Sequence, residues 1–137
     1  MTNIQDVAFE SSGLIEIDFP DKLIKIGDAA FKNCMRLRNV TISESVEELG
    51  YEAFRGCVSL ISVTIPSSVT IIDGSAFQAC TSLTRIDVEA DNAYYCSVDG
   101  ALFSKDMTTL IAYPAGKTDT AYIIPYGVTN IGEHAFF

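Results

Sequence analysis

The chain has 137 residues, of which 18 are acidic and 9 basic, for a net charge of −9. That balance argues against nucleic acid as a partner, because nucleic-acid binding needs a basic face. The apolar fraction is 48%, yet no apolar run approaches the ~20 residues of a bilayer span, and no basic, apolar leader of the secretory kind follows Met1. The length suits one domain.

Residues 4–14, IQDVAFESSGL, read as the second half of a unit that is then repeated. Three whole copies follow: residues 14–36 (LIEIDFPDKLIKIGDAAFKNCMR), 37–59 (LRNVTISESVEELGYEAFRGCVS) and 60–82 (LISVTIPSSVTIIDGSAFQACTS). They share the frame L-x-x-[IV]-x-[IF]-[PS]-x-x-[VL]-x-x-[IL]-[GD]-x-x-A-F-x-x-C-x-x. Phe31, Phe54 and Phe77 recur at a period of 23, as do Cys34, Cys57 and Cys80. A fixed period of this size marks a solenoid, whose units bury their apolar side only by stacking.

Within a coil, L-x-x-[IV]-x-[IF] alternates inward and outward, as Val63 and Ile65 do around Thr64, which predicts a short strand with one buried face. Pro20 and Pro66 end that strand, because proline removes a ladder donor. V-x-x-I is a second extended piece, closed by Gly27, Gly50 or Asp73. Ala53, Phe54 and Cys57 stand at i, i+1 and i+4, a spacing that predicts one short helical or 3₁₀ turn dropping phenylalanine into the core.

The fourth coil opens with Leu83, Ile86 and Val88, then loses the frame until Tyr122, Ile124, Pro125, Val128, Ile131, Gly132, Ala135 and Phe136 restore it. The intervening stretch predicts a β-hairpin insert near residues 94–117. Its apolar runs are Ala101 to Ser104 and Thr109 to Tyr113, and Asp99-Gly100 and Ala115-Gly116 supply turns. The expected class is therefore an α/β repeat solenoid, rich in short parallel strands. Its units are a partial coil 4–13, coils 14–36, 37–59 and 60–82, a coil 83–118 carrying the insert, and a partial coil 119–137. The phenylalanines (Phe9, Phe31, Phe54, Phe77, Phe136) are expected to form one spine. Phe136 and Phe137 should lie near an apolar end of the stack, which leads us to expect end-to-end self-association.

The frame, with its I-P and I-G-x-x-A-F-x-x-C elements, resembles the BspA-like (Treponema pallidum-type) leucine-rich repeats over residues 4–137. The insert is similar to one recurring in that family, S-V-D-G-x-L-F-S-K-D and T-x-L-x-x-Y-P-x-x-K, here at residues 97–106 and 109–117. The asparagine ladder of other leucine-rich repeats is absent, since Ser68 occupies its place. The resemblance implies a right-handed superhelix with a parallel sheet on one face. It also implies a cell-surface or extracellular protein of host-associated bacteria or parasitic protists, an adhesin binding host proteins.

Four groups of residues have side chains capable of chemistry or recognition. The cysteine column stacks at an inter-strand spacing of about 4.8 Å, but parallel Cβ vectors disfavour a disulfide, and a single column cannot converge on zinc. These thiols are expected to be buried and free, leaving Cys96 as the one unconstrained thiol. His134, the one histidine, has no matching nucleophile column beside it, and no phosphate-loop motif occurs, so no enzyme is expected. Asp87, Glu89, Asp91 and Asn92 form an acidic run that fits no calcium loop, and no metal or cofactor is expected.

The fourth group is the outward strand face. Its residues stack as Ile15, Arg38, Ile61, Thr84; Glu16, Asn39, Ser62, Arg85; and Asp18, Thr41, Thr64, Asp87. Solenoids use such faces for recognition. Glu16, Asp18, Arg38, Thr41, Ile61, Thr64, Arg85 and Asp87 are therefore the candidate residues for a protein ligand, a host extracellular protein in the adhesin reading. The alternative is a passive spacer in a larger surface protein, which should carry bland Ser/Thr columns instead.

Overall fold

The computed structural model describes residues 1–137. In chain order its strands are β1 (Asn3–Ile4), β2 (Glu16–Asp18), β3 (Lys25–Ile26), β4 (Asn39–Thr41), β5 (Glu48–Leu49) and β6 (Ser62–Ile65). There follow β7 (Ile71–Ile72), β8 (Arg85–Val88), β9 (Tyr95–Val98), β10 (Ala101–Ser104), β11 (Thr109–Ala112) and β12 (Asn130–Ile131). The chain is a β-solenoid of stacked coils. The V-x-x-I strands make one continuous parallel ladder, β1-β3-β5-β7. The leading strands pair in parallel as β2-β4 and β6-β8, with no ladder between β4 and β6.

No helix forms, so the α/β expectation is corrected to an all-β solenoid. The expected helical turn around each phenylalanine is instead a run of tight turns. Val7 and Ser11 flank Phe9 with φ of 54° and 59°, Ala29 and Asn33 flank Phe31 at 52° and 58°, and Glu52 and Gly56 flank Phe54 at 53° and 72°. Left-handed backbone costs a non-glycine residue roughly 1–2 kcal/mol. In return, alternate amides point along the stack. Val7, Phe9 and Ser11 donate to the carbonyls of Asp28, Ala30 and Lys32 at 2.8, 2.8 and 2.7 Å, while Ala8, Glu10 and Ser12 close the local turns. A helix would have spent all these amides within its own coil.

Two glycines set how closely coils approach. A Cβ on Gly27 would stand 2.6 Å from Asp6 Oδ1 and 2.7 Å from its amide nitrogen, and one on Gly50 would stand 2.4 and 2.8 Å from the same atoms of Asp28. The same aspartates accept amides of the next coil, Asp6 from Asp28 and Asp28 from Tyr51, each at 2.9 Å.

The core is one contiguous cluster of 26 buried residues along the stack. Phe9, Phe31, Phe54 and Phe77 lie face to face in a column, with ring centroids 5.1, 5.2 and 5.7 Å apart. Phe136 does not join it, contrary to expectation. It is half exposed and packs on Tyr113 at 5.1 Å. The cause is Tyr113, whose amide takes the Ala135 carbonyl at 2.6 Å. By the repeat (Phe54 N–H to Ala76 O, 2.8 Å), that carbonyl would otherwise face Phe77.

Each column cysteine is free and fully buried, and its Sγ donates to the phenylalanine carbonyl of the preceding coil: Cys34 to Phe9, Cys57 to Phe31 and Cys80 to Phe54, at 3.0–3.1 Å. Burial pushes the Cys80 thiol up to about 12 and raises that of Cys57 as well.

The insert is more than a hairpin. β9, β10 and β11 form an antiparallel meander, and β12 of the last coil adds in parallel to β11. A second, smaller core of Ala101, Phe103, Leu110 and Ala135 joins the meander to that coil. The meander also takes the amides left free at the ends of both ladders. Tyr95 hydroxyl accepts from Ile72 at 3.0 Å, Gly100 carbonyl from Ile86 at 2.8 Å, and Ser97 Oγ from Val88 at 3.1 Å.

Three outcomes are expected. Phe54→Ala should lose ~3–5 kcal/mol of unfolding free energy in denaturant titration, from the transfer and cavity terms of a buried ring. A native-state thiol reagent should label half-buried Cys96 first, and Cys34, Cys57 and Cys80 only on unfolding.

The third concerns buried Glu52, whose Oε2 lies 2.6 Å from Lys32 Nζ and whose Oε1 pairs with Arg55. The Lys32 hydrogen bond, opposed by burial and aided by Arg55, holds its carboxyl below the ordinary glutamate value. A depressed folded value gives stability that is present above the unfolded pKa of about 4.3 and is lost as pH falls through the folded one. Glu52→Gln should flatten that acid limb in a pH series of thermal melts.

Candidate interaction face

The leading strands set their side chains alternately inward and outward, because Val40, Val63, Ile65 and Ile86 are needed in the core. The strand residues Glu16, Asp18, Thr41, Thr64 and Arg85 are thereby exposed and Asp87 is half-buried, while Arg38 and Ile61, one residue ahead of β4 and β6, are exposed in the segments that lead into them. Register places Glu16 beside Asn39, Asp18 beside Thr41, Ser62 beside Arg85 and Thr64 beside Asp87. The expected columns exist within each pair of strands. Between β4 and β6 the face continues without a backbone ladder.

Two isoleucines stand open to solvent in the first column, Ile15 at 45% and Ile61 at 54% exposure. Arg38 lies between them in coil order, and its amide donates to Ile15 carbonyl at 2.8 Å. Arg85 is committed within the molecule, with Nε 2.9 Å from Asp87 Oδ2 and Nη2 2.9 Å from Oδ1. This bidentate pair fixes the guanidinium flat along the strand.

The meander walls the face at β8, a feature that sequence reasoning left out. A Cβ on Gly100, at φ 82°, would come within 2.9 Å of Arg85 Cβ, so the hairpin turn rests directly on that strand. Gly116 rests on the strand's entry in the same way, its amide donating to Leu83 carbonyl at 2.8 Å. Between strand and wall runs a polar groove of about 540 Å³, lined by Thr84, Arg85, Asp87, Ser97, Asp99 and Lys117. Lys117 bridges it, 2.8 Å from Asp99 carbonyl and 5.6 Å above the Tyr113 ring. The signal that could have placed this wall was the pair of glycines in the insert, D-G and A-G-K.

At the other end of the strands the face is acidic. Asp18, Asp21 and Glu44 border a groove of about 450 Å³ floored by Phe19 and Ile42. The charge of Glu89, with that of Asp91 beyond it, raises the Glu44 carboxyl above its ordinary value.

The run from Asp87 to Asn92 does not converge. Asp87 serves Arg85, and Glu89 accepts the Ser67 amide at 2.8 Å. Asn92 is fully buried as a plug, donating to Pro66 and Val69 carbonyls and accepting the Tyr94 and Tyr95 amides. No group of three metal-ligating side chains comes together anywhere in the chain. His134 lies 3.6 Å from Glu133 and edge-on to Phe137, with no serine or cysteine bonded to it.

Known proteins place this architecture. The sequence profile of the BspA type leucine rich repeat region matches residues 2–137 in six copies. The crystal structure of the pneumococcal vaccine antigen PcpA is similar at 38% identity and a TM-score of 0.93, over 99% of this chain and 34% of that one. A leucine-rich repeat protein from Eubacterium ventriosum is similar at 29% identity and a TM-score of 0.87, over 98% of this chain and 36% of that one. One from Bacteroides ovatus is similar at 32% identity and a TM-score of 0.55, over 66% of this chain and 25% of that one. The chain thus spans about a third of the length of the first two, 34% and 36%. No functionally curated protein matches it. Profile, period and fold agree, and the chain belongs to the BspA-type leucine-rich repeat family.

Proposed function

We propose that this chain is a non-enzymatic protein-interaction module of a larger cell-surface or secreted protein, and that it binds through the strand face. One observation carries the reading. Beside a buried frame that repeats coil after coil, the outward columns change from isoleucine to arginine to threonine and from glutamate to asparagine to serine to arginine. Packing dictates the inward residues and leaves the outward ones free for recognition. A spacer would have no use for large aliphatic side chains in water, and Ile15 and Ile61 are both exposed. The vaccine-antigen description of the pneumococcal relative supports an accessible, extracellular setting. In the adhesin reading, the ligand is a host extracellular protein.

The contact is centred on Arg38, Thr41, Ile61, Thr64, Arg85 and Asp87, with Glu16 and Asp18 at its edge. Against a panel of immobilised host extracellular proteins, Arg38→Ala with Arg85→Ala should weaken whichever interaction is found by at least ~2 kcal/mol, with the thermal midpoint unchanged. A control substitution should avoid Arg55, which pairs with buried Glu52. Exposed Glu47 is free of side-chain partners and serves instead, and Glu47→Ala should leave binding intact. Binding lost on changing Lys105 and Asp106 in the meander, but kept by the strand-face variant, would move the site to the insert. No binding across the panel would favour the spacer.

A further inference from the structure

Acids outnumber bases two to one, 18 to 9, so each basic side chain has carboxylates to choose from. Most have taken a partner. Lys25 pairs with Glu48, Lys32 and Arg55 with Glu52, and Arg85 with Asp87, while Lys117 is held by Asp99 carbonyl and Asp119. Lys105 donates to Ala90 carbonyl. Three remain without any: Lys22, Arg36 and Arg38. Two of these are arginines two residues apart, Arg36 in the turn and Arg38 in the segment that lead into β4, and both line one groove.

Arg36 and Arg38 share a small groove of about 130 Å³ with Ile15 and Ser59, and Ile61 follows in the next coil. Ser59 donates its hydroxyl to Met35 carbonyl at 2.6 Å and is bonded to neither arginine. The acid nearest in the strand order, Glu16, stands in register with Asn39 and pairs with neither arginine. An unpaired guanidinium presents a planar fork of donors that matches a carboxylate in two parallel bonds. Exposed aliphatics on both sides add apolar area that excludes water from such a pair.

We infer that the entry end of the strand face, Ile15, Arg36, Arg38 and Ile61, receives an extended segment of a partner protein that carries a carboxylate next to an apolar side chain. This rests on the strand-face reading and specifies its chemistry. The acidic opposite rim, Asp18, Asp21 and Glu44, then sets direction, because it repels the carboxylate end and leaves one orientation. The flanking isoleucines favour a peptide over a sulfated glycan, which has nothing to lay on them. Arg85 contributes less than Arg38, since the Nε–Nη2 edge of its guanidinium is already held by Asp87.

The test uses three small probes on the whole chain, followed by amide and arginine side-chain resonances in ¹H–¹⁵N spectra. 3-Phenylpropionate should shift Ile15, Arg38 and Ile61 saturably, with a dissociation constant on the order of millimolar, as expected for one anchor. The neutral 3-phenylpropionamide and inorganic sulfate should each bind about tenfold more weakly, for want of the carboxylate or the apolar ring. Arg36→Gln with Arg38→Gln should lose the same factor, and the spectrum elsewhere should stay unchanged. Sulfate binding as tightly would overturn the proposal in favour of a general anion site. Amide and carboxylate shifting these residues equally would sink the carboxylate and leave the strand face standing. Shifts confined to the Arg85–Lys117 groove or to Lys22, or no saturable shift at all, would sink the carboxylate site at Arg36 and Arg38, while the strand-face reading would still stand or fall on the Arg38→Ala with Arg85→Ala variant against the protein panel.

Discussion

Alternate backbone amides of each coil are bonded to the neighbouring coil rather than within their own, and this constraint governs the rest. Those around Phe9, Phe31 and Phe54 are aimed along the stack at the cost of left-handed backbone on residues such as Val7, Ala29 and Glu52. Those bonds form only when two coils come within strand distance. That in turn demands glycine at 27 and 50, where the preceding aspartate fills the space of a side chain. Position 73 carries aspartate, and its amide reaches the Leu49 carbonyl at 3.3 Å, against 2.9 Å for Gly27 and Gly50 to theirs. Stability is therefore shared between coils, as expected of a quasi-one-dimensional array.

The cysteine column follows from the same rule. Each phenylalanine carbonyl of the column takes an amide of its own turn and has a second lone pair facing the next coil, where a small weak donor can meet it in a dry place. The thiol does this without the desolvation that a charged donor would suffer. Stacked rings and stacked thiols run side by side, the first supplying buried area and the second adding a donor from the next coil to carbonyls that already accept an amide of their own turn.

The repeat frame, the core positions and the outward columns were legible in the sequence because a 23-residue period repeats the same packing problem. The helix at Ala53–Phe54–Cys57 was misjudged because i, i+1, i+4 spacing reports which side chains share a face and not where the amides go. Phe136 was misjudged for a related reason. The frame returns after the insert, but β11 and Tyr113 have entered the stack between it and Phe77, and no local pattern states that order. The face itself was readable residue by residue, whereas its electrostatics were not. Arg38 and Arg85 look alike in sequence, yet Asp87 quenches one while the other is open, a distinction made by side-chain geometry two residues along a strand.

A ladder of short parallel strands is a template, and an open edge recruits strands from other molecules. In this chain the edges at β7 and β8 are closed by a phenol, a serine hydroxyl and a glycine carbonyl, none of which offers a further backbone edge in the same direction. The meander thus guards against accretion as well as shaping a groove. Its guard duty is also readable from outside: the hydrogens on Ile72, Ile86 and Val88 belong to the stack, but the atoms that shield them belong to the insert. Their exchange with solvent clocks the lifting of the meander, on a path separate from the unwinding of the coils beneath.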